Sequence, residues 1–239
     1  MRRCPICGAK KNKILFKQKF TEELSHNIVI CLKCNFVFVN NTPSQKDYDE
    51  YYKVMSKYEL ERDQLLHERY KETIVNHFPK SSAILDVGCS TGHLLYLLKK
   101  AGYRDISGID PSPECKKIAW NKFRIKIDTA SIHSFNPSKK YDVIILAMVL
   151  EHLRDVRESL AKIDKLLTKN GFIFISVPDA QNFLKDFEEA FGEFSVEHIN
   201  FYSTFHLFKL MEGYALSHMH SDEKNLFSLW KKSESLERS

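Results

Sequence analysis

Beyond residue 80 the apolar residues come in short continuous runs separated by stretches of helical spacing. Residues 83–87, 106–109, 142–147 and 172–177 are each largely apolar on both faces, as a strand buried on two sides must be. Residues 94–101, 113–122 and 156–167 carry the recurrence of amphipathic helices, and residues 124–127 are expected as a further strand among them. Such an alternation predicts a parallel sheet covered by helices on both faces. After the fifth strand, Ser203-Thr204 is placed to cap a helix over residues 205–211, ahead of Gly213.

The first 80 residues are patterned differently. Short β-like runs, Ile28-Val29-Ile30 and Phe36-Val37-Phe38-Val39, sit among polar residues up to about position 40. Asn40-Asn41-Thr42-Pro43-Ser44 reads as a linker, with Pro43 forcing a break and Ser44 placed to cap the next helical stretch. A helix is expected over residues 51–77, stopping before Pro79. Three regions result: a small ribbon over 1–40, a linker and helical segment over 41–80, and an α/β domain over 81–239. Within the last, the aromatic-rich segment at about 180–204 is expected to act as a lid.

Composition narrows the class. Of 239 residues, 43% are hydrophobic and 28% charged, which suits a soluble globular protein with room for one α/β domain and an appendage. The net charge of +5 arises from scattered lysines rather than a dense patch, so nucleic acid is not the expected partner. No apolar run approaches the roughly 18 residues of a membrane span. The start, Met1-Arg2-Arg3-Cys4, does not resemble a signal peptide, and six cysteines without one point to a reducing compartment, the cytoplasm.

Four of those cysteines form two C-x-x-C knuckles, Cys4-Pro5-Ile6-Cys7 and Cys31-Leu32-Lys33-Cys34. Two intervening residues let both thiolates of a knuckle face one ion, and two knuckles complete a tetrahedron. Gly8 and Asn35, each next after a knuckle, tolerate the positive φ that the turn needs. Cys4, Cys7, Cys31 and Cys34 are therefore expected to bind a structural zinc ion with no open position. Cys89 and Cys115 are left as free thiols.

Ile84-Leu85-Asp86-Val87-Gly88-Cys89-Ser90-Thr91-Gly92-His93-Leu94 runs from an apolar strand through a small-residue turn into a helix. Gly88 and Gly92 allow a ligand close to the backbone. Some twenty residues on, Asp110 closes the second strand, where a carboxylate can accept both ribose hydroxyls of a nucleoside. The two-residue spacing of Gly88, Ser90 and Gly92 departs from the dinucleotide fingerprint G-x-G-x-x-G and argues against NAD.

On these residues the chain resembles the class I S-adenosylmethionine-dependent methyltransferases, whose first motif is an apolar strand, an acidic residue and G-x-G-x-G. Asp86, Gly88 and Gly92 match it, with Ser90 in place of the middle glycine. The resemblance implies a Rossmann-like seven-stranded sheet with helices on both faces, here preceded by the zinc ribbon. It also implies that Gly88, Cys89, Ser90 and Gly92 line the methionine part of the cofactor and that Asp110 and Pro111 meet the ribose. Ser131 and Ile132 would lie near adenine, and Ala147 and Met148 on the sulfonium side.

Two Glu-His pairs stand out, Glu151-His152 after the fourth strand and Glu197-His198 in Glu197-His198-Ile199-Asn200-Phe201-Tyr202-Ser203. A histidine beside a carboxylate near the pocket can serve as a general base, whereas Glu151-His152 can equally support the next helix. The ribbon, the tyrosine-rich linker and the second block together resemble bacterial sugar C-methyltransferases. That resemblance implies His198 as base, Glu197 beside it, and a contribution from Tyr48, Tyr51 or Tyr52. The further C-terminal domain of those enzymes has no counterpart here, so the acceptor stays open between a ketosugar, a glycan or lipid-linked sugar, and another small metabolite, methylated at carbon or oxygen. The alternative is an RNA methyltransferase that grips RNA with the ribbon. Neither the acceptor nor the oligomeric state is written in the sequence.

Overall fold

The computed structural model describes residues 1–22, 24–54, 64–182, 197–222 and 224–233. Three strands, β1 (Asn12–Lys19), β2 (Ser25–Cys31) and β3 (Val37–Val39), form an antiparallel meander. Helices α1 (Gln45–Val54) and α2 (Gln64–His77) come next. Ser44 caps α1 reciprocally: its Oγ donates to Asp47 Oδ2 at 2.6 Å, and the Asp47 amide points back to that Oγ at 3.3 Å. Of the helix expected over 51–77, the described residues are helical at 51–54, as the end of a helix that starts earlier, and at 64–77. Residues 55–63, which that expectation also covers, lie outside the described residues.

The α/β part runs β4 (Ile84–Val87), α3 (His93–Lys100), β5 (Ile106–Asp110), α4 (Pro113–Ile118), β6 (Asp128–Thr129), β7 (Tyr141–Ala147), α5 (Val156–Leu166) and β8 (Leu167–Pro178). It closes with β9 (Asn200–Phe201), α6 (Thr204–Leu210) and a hairpin of β10 (Tyr214–Ser221) and β11 (Asn225–Lys232). Seven strands form one sheet in the order β10-β11-β8-β7-β4-β5-β6. Its centre is parallel, β4 pairing with both β5 and β7, while β11 joins β8 antiparallel. Successive strands leave β4 to opposite sides, so a crevice opens outside the carboxyl ends of β4 and β7.

Apolar residues on the two sheet faces explain the layers. Tyr70 and Ile74 of α2 and Leu94 and Leu98 of α3 pack with Ile84, Val143 and Phe174 on one face. Leu160, Ile163 and Leu166 of α5 pack with Leu85, Ile144 and Ile175 on the other. Each fully buried aliphatic side chain contributes about 1.5–3 kcal/mol. The strand expected at 124–127 is displaced. α4 ends in a π-helical turn, Ala119–Phe123, and Arg124 at φ 55° closes it in the left-handed region. Ile125 and Ile127 plug the core as single buried residues, and pairing begins only at Asp128.

The small N-terminal sheet has the order β1-β2-β3-β9. Its fourth strand, Asn200–Phe201, comes from the far end of the chain and pairs antiparallel with β3. No helix among the described residues is long and apolar enough to cross a membrane.

Candidate active site

A cavity of about 350 Å³ opens where β4, β5 and β7 end. Asp86, Gly88, Cys89, Ser90, Asp110, Pro111, Ser131, Ile132, Ala147 and Met148 all line it. Gly92 does not; it caps α3 at φ 76°, where an added Cβ would sit 3.2 Å from Ala119. At Gly88, with φ 70°, a Cβ would approach Val149 Cγ2 to 2.8 Å, so only glycine fits. Ser90 and Met148 also hold positive φ, 48° and 56°, a strained conformation for side-chain-bearing residues that concentrates at functional sites.

Asp110 organises the turn. Its Oδ2 accepts the Ser90 amide at 3.0 Å and its Oδ1 the Ser112 amide at 2.9 Å. Asp86, buried one strand away, is pushed up to about 8 by loss of water and then by the charge of Asp110. Burial and the same two carboxyls push the Cys89 thiol well above its ordinary value.

Helix α1 lies against the cavity with Gln45, Asp49 and Tyr52 on one face, spaced as a helix repeats. Asp49 Oδ2 accepts from Ser131 Oγ at 2.9 Å, and Gln45 Oε1 accepts the Arg154 and Asp155 amides at 3.1 and 3.2 Å. Gln45 and Asp49 were not among the residues expected from sequence. Nor were Leu66, His67 and Tyr70 of α2, His133, Val149 and Leu153, which also line the cavity.

Of the expected catalytic residues, His152 and Glu197 line the cavity and His198 does not, although its ring centroid lies 4.9 Å from that of His152. His152 Nδ1 lies 3.1 Å from the Glu197 carbonyl oxygen and 3.1 Å from Tyr52 Oη. A carbonyl can only accept, so the proton of neutral His152 sits on Nδ1 and Nε2 carries the lone pair. Glu151, buried, places Oε1 3.8 Å from that Nε2. Burial, and then His198, push the His152 imidazole down to about 3. Tyr51 donates to Glu197 Oε1 at 3.3 Å. Burial, and then Glu197, raise the Tyr52 phenol. Tyr48 is buried away from the cavity, in the cluster of Ile28, Val39, Ile199 and Phe201. Most of the expected lid, residues 183–196, lies outside the described residues.

The four ribbon cysteines converge as their spacing requires, with Sγ atoms all within 4.8 Å of one another. Cys4 and Cys34 approach to 3.5 Å, as do Cys7 and Cys31. Gly8 at φ 72° and Asn35 at φ 61° take the left-handed turns expected after each knuckle. Glu151, His152 and His198 form a second set of three within the same separation. Cys115 is fully buried beside Cys89 and Ala119.

Fold and cavity together define a Rossmann-like α/β protein with a crevice of about 350 Å³ at its switch point. The methyltransferase-domain family matches residues 58–219, and the chain belongs to it. A ubiquinone biosynthesis O-methyltransferase of Pelagibacter ubique is 32% identical over 119 residues, which cover 44% of this chain and 49% of that protein. The chain spans about half the length or less of the curated relatives it matches first. Among solved structures, magnesium protoporphyrin IX methyltransferase of Synechocystis with bound SAH superposes with a TM-score of 0.60 at 16% identity, over 79% of this chain and 94% of that one. The 1,6-didemethyltoxoflavin-N1-methyltransferase of Burkholderia thailandensis reaches 0.62 at 14% identity, over 91% and 99%. At such identities the likeness is one of fold.

Proposed function

We propose that this chain is an S-adenosylmethionine-dependent methyltransferase of a small molecule, a sugar or glycan precursor methylated at carbon or oxygen. The observation that carries the reading is the Asp110–Ser90 hydrogen bond, which fixes a carboxylate beside a strained small-residue turn at the cavity. The residues present fit an adenosyl sulfonium. Asp110 brings a carboxylate to the cavity wall where ribose hydroxyls could reach it, Ile132 and Pro111 offer apolar surface for a base, and the Gly88 cradle has no room for a Cβ. Asp110 provides negative potential for a cation, while Asp86, pushed up to about 8, adds little charge near neutral pH. When bound, the cofactor supplies an electrophilic methyl group.

The rest falls to the protein. Tyr52, Glu197 and His152 line the acceptor side, and His152 Nε2 is the atom able to take the proton that an acceptor gives up. Buried Glu151 has its Oε1 3.8 Å from that Nε2, while burial and His198 leave the imidazole a weak base. His198, expected from sequence as the base, lies edge-on to His152 with ring centroids 4.9 Å apart, outside the cavity lining. Holding the acceptor in line does most of the remaining work. The test is turnover of ketosugars and sugar hydroxyls by His152→Gln and His198→Gln, each with cofactor affinity measured alongside.

The ribbon cysteines are proposed to hold one structural zinc ion. Tetrahedral bonds of about 2.3 Å place sulfurs about 3.8 Å apart, close to the 3.5 Å of the two nearest pairs. All four positions are thiolates, so this zinc would carry no chemistry of its own. Metal analysis of the purified protein tests it.

A further inference from the structure

The block Ile199-Asn200-Phe201-Tyr202 has no part in proton transfer, yet it is among the most buried segments in the protein. Ile199 and Phe201 pack with Ile28, Val39 and Tyr48, joining the ribbon to α1. Asn200 has a different role. Its Nδ2 donates to Leu150 O at 2.9 Å and to Leu153 O at 2.7 Å, one on each side of Glu151-His152. The Ile199 and Asn200 amides both reach Glu151 O, at 2.9 and 3.2 Å. One amide side chain and two amides thus hold the whole turn that carries His152.

Asn200 is in turn held from the ribbon. Arg2, buried just before the first knuckle, donates through Nη2 to Asn200 Oδ1 and through Nη1 to Val39 O and Ile199 O, both at 3.4 Å. The Arg2 amide reaches Asn40 O at 2.7 Å. β3 pairs with Asn200–Phe201 along the same line, and the Val39 amide reaches Ile199 O at 3.0 Å. The Arg2 Nε is buried with no partner among the described residues. Burying a guanidinium with one donor unmet is costly, and an apolar residue of the same volume would serve cohesion better. The arrangement favours geometry over stability.

We propose that Asn200, anchored by Arg2, is a positioning residue through which the ribbon sets His152 against the Glu197 carbonyl. The ribbon is then a structural part of the acceptor side of the site, and the cofactor side does not depend on this contact. This rests on the reading of His152 as the acceptor-side base.

The test uses full-length, metal-replete protein and ¹⁵N–¹H spectra of the histidine rings, with signals assigned by His152→Gln and His198→Gln. In wild type the His152 Nδ1–H, bonded to Glu197 O, is expected as a protected resonance. Arg2→Met, which keeps the packed stem, and Asn200→Ala should both lose it, with Asn200→Ser as the milder variant should Asn200→Ala not fold. Arg157→Met is the control: it cuts another ribbon contact, the bond from Arg157 Nε to Ile6 O at 3.1 Å, and should leave the resonance in place. Affinity for S-adenosylhomocysteine should stay within about two-fold throughout, a change of roughly 0.4 kcal/mol. Retention of the resonance in Arg2→Met and Asn200→Ser, with stability falling as in Arg157→Met, would overturn the proposal, as would its absence from wild type. Wild type failing to bind S-adenosylhomocysteine would instead sink the methyltransferase reading and leave the ring result standing.

Discussion

The Asp110 carboxylate accepts the Ser90 amide at 3.0 Å, which ties the turn after β4 to the end of β5. Ser90 reaches that bond only by adopting φ 48°. The strain is offset by a charge-assisted hydrogen bond, and the result is a turn shaped before any ligand arrives. A preformed turn lowers the ordering cost of binding.

Gly88→Ala tests the tightness of that turn. The new Cβ would meet Val149 at 2.8 Å in a backbone region disfavoured for alanine. A loss of about 1–3 kcal/mol is expected from strain of this kind, read as a lower melting temperature with weakened S-adenosylhomocysteine binding. Unchanged melting and binding would mean that the turn is loose enough to absorb a methyl group.

Asp86 gives a pH signature. Its carboxyl titrates at about 8 in the fold, against roughly 4 in an unfolded chain. Between those values the folded state holds a proton that the unfolded state has lost. The contribution of Asp86 to stability is therefore full at the acid end and declines as pH rises towards 8. Asp86→Asn titrates in neither state. Its melting temperature should improve relative to wild type as pH is raised from 4 to 8, and a pH-independent difference would refute the shift.

Much of this site was legible in the sequence, because it depends on local pattern. Gly88, Ser90 and Asp110 sit at the ends of short apolar strands, and strand ends are where such sheets bind ligands. Of the α1 face only Tyr52 was legible, and that through the resemblance rather than through pattern. Gln45, Asp49 and Tyr52 face a cavity rather than a core, so no apolar stripe marks the helix that carries them. Nor was the pairing of Val37 with Phe201, since a two-residue strand so distant in the chain leaves no periodic trace. The third strand was placed too early because Ile125 and Ile127 are buried as isolated plugs, which resembles strand burial in sequence.

His152 and His198 separate by assay. His152→Gln should retain cofactor affinity and lose about 100-fold or more in turnover, the usual scale for a general base, while His198→Gln should lose less. His152 stays neutral down to about pH 3, so its titration should add no acid limb to the rate profile between pH 5 and 7. The reverse ranking of the two variants would return the base role to His198.

The ribbon should carry one zinc per chain by elemental analysis. Cys34→Ser or prolonged chelation should release it and lower the melting temperature, because structural zinc sites supply much of the folding energy of small modules. Disorder is expected to reach the loop of Glu197 and His198 as well, since His206 Nε2 lies 3.0 Å from Cys34 O and β9 pairs with β3. Full stability in a metal-free protein would remove the zinc assignment.

Calorimetric titration of S-adenosylhomocysteine into wild type and Asp110→Ala decides whether the crevice beyond β4 and β5 is a nucleoside cradle. Wild type should bind in the micromolar range and Asp110→Ala at least about 100-fold more weakly, the loss of some 3 kcal/mol from a buried charged acceptor. Equal affinity in the two proteins, or no heat with folded wild type, would contradict that assignment.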